Sequence, residues 1–147
     1  MAKKAPSNNS FHSLQAAQNF LERAPDHEKK PDVAYDRRNF NLARTQAVLR
    51  ALGNPQDRMR IIHVAGTKGK GTTCTVIERC LREAGCRTGL FTSPHLQSVC
   101  ERIRIDGGPI VERDFCRLVG RIREHVERQR KGANRESPTY FEILTGL

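Results

Sequence analysis

Gly66, Thr67, Lys68, Gly69, Lys70, Gly71 and Thr72 follow one another in mid-chain and bring together what a triphosphate needs. Glycines let the backbone come close and turn its N–H groups toward an anion. A lysine neutralises the outer phosphate oxygens, and a hydroxyl can hold Mg2+. The strict spacing G-x-x-x-x-G-K-[ST] is broken in two places: Val64 stands where its first glycine belongs, and Gly71 follows Lys70. Thr72 and Thr73 supply hydroxyls just beyond. The plain alternative is a glycine-rich turn with two solvated lysines. Other candidates for chemistry are thinner. Cys74, Cys80, Cys86, Cys100 and Cys116 form no C-x-x-C pair. That argues against a zinc knuckle or disulfide framework and for small buried hydrophobes in a reducing compartment. His63, within an apolar run, reads as a core residue, and His95, after Ser93-Pro94, reads first as structural.

Such a loop works only when a strand delivers it and a helix begins at its end. Ile61-Ile62-His63-Val64-Ala65 is short, apolar and β-branched, and predicts a buried strand running straight into Gly66. Val76, Ile77, Cys80, Leu81 and Ala84 then recur at helical spacing, with Glu78, Arg79, Arg82 and Glu83 outside and Gly85 as the cap. Thr88-Gly89-Leu90-Phe91-Thr92 predicts the next strand. Strand, loop, helix and strand make a βαβ unit, so the expected fold class is α/β with a parallel sheet flanked by helices.

Other elements surround that unit. Helices are expected over 13–24 and 41–52, the second closed by Gly53-Asn54-Pro55. Ile103 and Ile105 alternate with Arg102 and Arg104 before Asp106-Gly107, which predicts a half-exposed hairpin. Phe115, Leu118, Val119, Ile122 and Val126 give a long amphipathic helix, with Arg117, Arg121, Arg128 and Arg130 on a solvated outer face. A polar linker over 131–137 leads to a last helix opened by the capping box Thr139-x-x-Glu142. Residues 1–9 read as a disordered tail. The last helix has barely begun where the sequence stops, so the N-terminal piece of a longer protein is expected.

The 147 residues are 37% hydrophobic and 5% aromatic. A chain of this length can bury about two-thirds of its unfolded surface, so disorder throughout is excluded. No run of about 18 apolar residues is present, which excludes a membrane-spanning helix. Met1-Ala2-Lys3-Lys4-Ala5-Pro6 lacks the apolar stretch of a secretory signal, so a soluble, cytoplasmic protein is expected. The net charge of +10, from 26 basic and 16 acidic residues, favours a polyanionic partner. The basic residues are scattered among acids and do not interleave with aromatics, so nucleic acid is not the expected one.

Val64-Ala65-Gly66-Thr67-Lys68-Gly69-Lys70-Gly71-Thr72-Thr73-Cys74 resembles the ATP-binding loop of the Mur ligase superfamily, and within it folylpolyglutamate synthase and dihydrofolate synthase. Leu52-Gly53-Asn54-Pro55-Gln56, Thr92-Ser93-Pro94-His95-Leu96, Glu101-Arg102-Ile103-Arg104-Ile105 and Pro138-Thr139-Tyr140-Phe141-Glu142 occur in that family's order and spacing. The resemblance covers residues 35–147. It implies a P-loop-containing, Mur-ligase-like central ATPase domain, with residues 10–147 as its N-terminal part, truncated before completion, and a second domain absent. By resemblance, Gly66, Thr67, Lys68, Gly69, Lys70, Gly71, Thr72 and Thr73 would wrap the ATP phosphates. Lys70 would sit on the β- and γ-oxygens as the catalytic residue. Ser93 and Thr72 would hold Mg2+. Arg38, Asn39 and Phe40, with Thr139, Tyr140, Phe141 and Glu142, would contact the pterin substrate. Lys68 replaces an Asn found in many members, and Asn41 and Ala43 depart from the family's usual Gly and Glu.

The implied reaction is an ATP-dependent ligation. A folate or dihydropteroate carboxylate is phosphorylated, and the amine of L-glutamate attacks the acyl phosphate to give an amide, ADP and phosphate. The implied partners are these small molecules, with no membrane, and the full-length protein would be a monomer. Further metal ligands and a modified lysine of the family would fall after Leu147, so the isolated chain is expected to fold poorly and to lack ligase activity. Two readings of other classes stand beside this one: a stand-alone nucleotide-binding module without ligase activity, and a basic nucleic-acid-binding domain whose glycine loop meets backbone phosphates.

Overall fold

The structure is a computed structural model and is described over residues 10–27, 42–131 and 137–147. The expected tail over 1–9 and most of the expected linker lie outside the described residues. The described elements are α1 (Leu14–Leu21), α2 (Leu42–Ala51), α3 (Lys70–Glu83), β1 (Gly89–Phe91), β2 (Ile103–Ile105), β3 (Gly108–Pro109), α4 (Glu112–Lys131) and α5 (Tyr140–Gly146). Two further 3-10 turns span Pro55–Arg58 and Val99–Arg102. The chain divides into two compact units, one made of Met1–Met59 with Cys116–Leu147 and the other of Arg60–Phe115.

The first unit is helical. The Ser13 hydroxyl accepts the Ala16 N–H and starts α1, which ends at Leu21, short of the expected Ala24. Its core is drawn from every helix: Ala17, Phe20 and Leu21, Val48, Val119, Ile122 and Val126, and Ile143 and Leu144 are all buried. Val119, Ile122 and Val126 repeat at i, i+3 and i+7, so one stripe of α4 is covered while Arg117, Arg121 and Arg128 stay exposed. Arg130 departs from the expected solvated face. Its guanidinium lies 4.7 Å over the Phe20 ring and donates to the Phe20 carbonyl at 3.0 Å. α2 packs against α5. It is closed by Gly53 at φ +86°, in the left-handed region that favours glycine.

The second unit carries the glycine loop. Its sheet is three-stranded and antiparallel, in the order β1-β2-β3, with Gly89 opposite Ile105, Phe91 opposite Ile103 and Arg104 opposite Pro109. Asp106 and Gly107, at φ +47° and +87°, make the two-residue turn whose twist suits a hairpin. The expected parallel sheet is not formed among the described residues. Residues 61–65 are not a strand, and Ile61 and Ile62 are 63% and 59% exposed. His63, expected in the core, is exposed as well. The apolar stripe of α3 is likewise uncovered: Val76, Cys80, Leu81 and Ala84 are exposed, and the buried residue of this helix is Glu78. Periodicity identifies residues that share a face but says nothing of what covers it, and a parallel strand exists only through a neighbour's hydrogen bonds. The hairpin is half-exposed as expected, but its alternation is not kept: Ile103 and Arg104 are both half-buried, Arg102 is 4% and Ile105 49% exposed. Arg102 closes the 3-10 turn Val99–Arg102 instead of belonging to the strand. Of the cysteines expected inside, Cys100 and Cys116 are buried, Cys74 is half-buried, and Cys80 and Cys86 are exposed.

Candidate nucleotide site

The glycine loop leads directly into α3. Gly69 caps the helix at φ +75°, a left-handed conformation, and makes no side-chain capping bond. The first backbone bond of the helix is Thr73 N–H to the Gly69 carbonyl, 2.9 Å. The N–H groups of Lys70, Gly71 and Thr72 therefore belong to the opening turn, where an α-helix has no partners of its own and its dipole is positive. Residues 65–73 are all exposed to solvent. The Lys70 ammonium curls back over the loop and donates to the Gly66 carbonyl at 2.8 Å. Glycines, helix start, ammonium and threonine hydroxyls thus share one exposed stretch of chain, a set of groups suited to an anion.

α3 is tied to the hairpin at its middle. The buried Glu78 carboxylate accepts the Thr88 hydroxyl at 2.7 Å and the Arg82 Nε–H at 3.3 Å. The Thr88 bond, with Arg82 beside it, holds the Glu78 carboxyl below its ordinary range despite burial. Arg82 in turn packs against Gly107, where a Cβ would come within 2.9 Å of the guanidinium.

Beyond β1 the chain enters Thr92-Ser93-Pro94-His95. Ser93 is exposed. Glu101 fixes this segment, accepting N–H groups of Leu96, Gln97 and Ser98 at 2.9, 3.0 and 2.7 Å. The Leu96, Ser98 and Gln97 bonds lower the pKa of its carboxyl. Among the described residues, no group of three His, Cys, Asp or Glu side chains is placed to hold a metal ion.

The expected substrate residues are distributed differently. Arg38, Asn39 and Phe40 lie outside the described residues. Thr139 and Glu142 form the expected capping box of α5: the Thr139 hydroxyl accepts the Glu142 N–H at 3.2 Å, and Glu142 Oε2 accepts the Thr139 N–H at 2.8 Å. Tyr140 is buried and Phe141 is 41% exposed. These four residues belong to the first unit, and residues 66–73 and Ser93 to the second. Sequence reasoning missed Arg44, whose guanidinium grips the Glu142 carboxylate with Nε and Nη2 at 3.1 to 3.2 Å. It also missed Arg102 as the partner of His95. Neither pair has a short-range signature.

No family model matches the chain. It is 39% identical over 135 residues to the mitochondrial folylpolyglutamate synthase of Homo sapiens, an alignment covering 92% of this chain and 22% of that protein. It is 40% identical over 104 residues to the dihydrofolate synthase/folylpolyglutamate synthase of Bacillus subtilis, covering 71% of this chain and 24% of the relative. Among solved structures, a folylpolyglutamate synthase in complex with AMPPCP and folate superimposes with a TM-score of 0.74 at 32% identity, over 91% of this chain and 30% of that one. The chain thus spans between a fifth and a third of the length of these proteins. No helix among the described residues is long and apolar enough to cross a membrane. In sequence and in fold, the chain matches the N-terminal portion of the folylpolyglutamate synthase and dihydrofolate synthase family.

Proposed function

We propose that residues 10–147 are the nucleotide-gripping N-terminal part of a P-loop, Mur-ligase-like ATPase domain. Its reaction is the ATP-dependent amide ligation of L-glutamate to a folate or dihydropteroate carboxylate through an acyl phosphate. The observation that carries this reading is the glycine loop itself, with Gly69 left-handed at the start of α3 and the Lys70 ammonium folded over the loop. The relative solved with AMPPCP and folate supports both the nucleotide and the acceptor class.

The chain's own residues would act by position and charge. N–H groups at the start of α3 would hold the phosphates in line, and Lys70 would swing from the Gly66 carbonyl onto the β- and γ-oxygens as charge builds there. Gly66, Thr67, Lys68, Gly69, Gly71 and Thr73 complete the wrap. Mg2+, when bound, would neutralise phosphate charge, and the exposed hydroxyls of Thr72 and Ser93 fit such a hard cation. The geometry of the Glu78–Thr88 anchor supports a common site. The chain reverses at Gly85, and β1 packs back along α3. From Glu78 back to Lys70 is about 12 Å of helix, and from Thr88 on to Ser93 about 16 Å of extended chain. Arg38, Asn39 and Phe40, with Thr139, Tyr140, Phe141 and Glu142, are proposed as acceptor contacts, and a cytoplasmic monomer as the state of the complete protein.

Calorimetric titration with Mg·ATP of the chain, first shown to be folded by a cooperative urea transition, tests this reading. Saturable uptake that falls at least about tenfold in Lys70→Ala is expected, since a lost charge-assisted bond is worth about 1.5–3 kcal/mol. Equal affinity of the variant would remove the basis of the assignment.

A further inference from the structure

Arg102 is the most buried charged side chain described, at 4% exposure. Its Nε–H donates to His95 Nδ1 at 2.8 Å. A guanidinium has donors only, so this contact requires Nδ1 to be the accepting nitrogen. The neutral ring must then carry its proton on Nε2, and Nε2 has no partner among the described residues. The neighbouring residue, Glu101, clamps the N–H groups of Leu96, Gln97 and Ser98. One 3-10 turn, Val99–Arg102, therefore fixes both the His95 ring and the backbone that follows it. The Arg102 carbonyl also accepts the Thr92 N–H at 2.9 Å, so the same residue holds the segment where it leaves β1.

We propose that Arg102 is a positioning residue that presents His95 Nε2–H as a hydrogen-bond donor to an anionic oxygen, phosphoryl or carboxylate, beside Ser93. This rests on the reading that the glycine loop and Ser93 meet a nucleotide and an acidic acceptor. Orienting an imidazole through a buried guanidinium leaves a donor of fixed direction whose own charge is not needed. That suits recognition of an oxygen already neutralised in part by Lys70. His95 adds direction, where the ammonium adds charge.

Two measurements test it on the whole chain. The first is a long-range 1H–15N spectrum of the histidine rings without ligand. It should give the Nε2–H pattern for His95, replaced by a tautomer mixture in Arg102→Gln, while the Leu96, Gln97 and Ser98 amide signals keep their positions as the check on folding. An Nδ1–H pattern in the wild type, or an unchanged pattern in Arg102→Gln with those amides in place, overturns the proposal. The second is titration with Mg·ATP and, separately, with folate. His95→Phe should weaken one of them about tenfold and His95→Gln, which keeps a donor, at most about twofold, with Arg102→Gln between them. The ligand affected identifies the oxygen as phosphoryl or carboxylate. If Lys70→Ala weakens Mg·ATP while His95→Phe leaves both ligands unaffected, this inference fails and the nucleotide reading stands. A wild-type chain that takes up neither ligand overturns both.

Discussion

Arg44 and Glu142, 98 positions apart, meet in a two-pronged ion pair with Nε–Oε2 at 3.1 Å and Nη2–Oε1 at 3.1 Å. The same carboxylate receives the Thr139 N–H, so one acidic group both starts α5 and fastens it to α2. Both side chains are close to nine-tenths buried, at 11% and 13% exposure, which puts the pair well above the ordinary surface ion pair in consequence. Removing one partner strands the other in a poorly solvated place.

Arg44→Ala should therefore destabilise the chain by about 2–3 kcal/mol, read as a lower urea midpoint with little change in slope. Glu142→Gln should cost less, because its amide oxygen can still accept the Thr139 N–H. A double-mutant cycle should return a coupling near 1–2 kcal/mol. A loss below about 0.5 kcal/mol for Arg44→Ala would mean that the pair is only a surface contact.

Gly146 lies where α5 packs closely against Val48 of α2. A Cβ there would fall 2.5 Å from Val48 Cγ1, a distance that real packing does not accept. Gly146→Ala should cost about 1–3 kcal/mol by overpacking, despite the better helix propensity of alanine. Val48→Ala opens the space that the added methyl needs, so the double variant should be more stable than the sum of its parts predicts. Strict additivity would show that the two residues do not touch.

Acid should weaken the fold before the carboxylates titrate. His125 Nε2 is buried without a hydrogen-bond partner among the described residues, and the ring lines a cavity of about 30 Å3 with Arg44 and Gln129. Burial first, then the Arg128 and Arg50 charges, pushes its pKa below the ordinary 6.5. The unfolded chain therefore binds a proton that the folded chain refuses. Stability is greatest above the unfolded value and declines as pH falls through about 6.5 toward the lower folded value. Urea midpoints between pH 7.5 and 5.5 should fall in the wild type and fall less in His125→Gln. Parallel curves would place the pH dependence elsewhere.

Lys70→Ala should leave stability unchanged within about 0.5 kcal/mol, since its side chain is exposed and its bond to Gly66 faces water. Thermal melting of the two proteins without ligand should coincide, and addition of Mg·ATP should raise the melting temperature of the wild type more than that of the variant. A large drop in the ligand-free variant would make Lys70 a structural residue.

Much of this protein is legible in short stretches. Gly53 and Gly85 end their helices at left-handed φ, Thr139 and Glu142 open α5, and Asp106-Gly107 turns the hairpin, because each signal acts over at most four residues. The glycine loop announces its chemistry the same way, since backbone freedom, an ammonium and a hydroxyl need only be neighbours. The sheet was not legible. The apolar run 61–65 and the stripe of α3 pointed to a buried parallel unit, yet the described strands pair antiparallel and Glu78 is the residue α3 buries. Nor could local pattern join Arg44 to Glu142 or Arg102 to His95. Such pairs depend on loops closing and on low-dielectric surroundings, which arise only once the chain has packed.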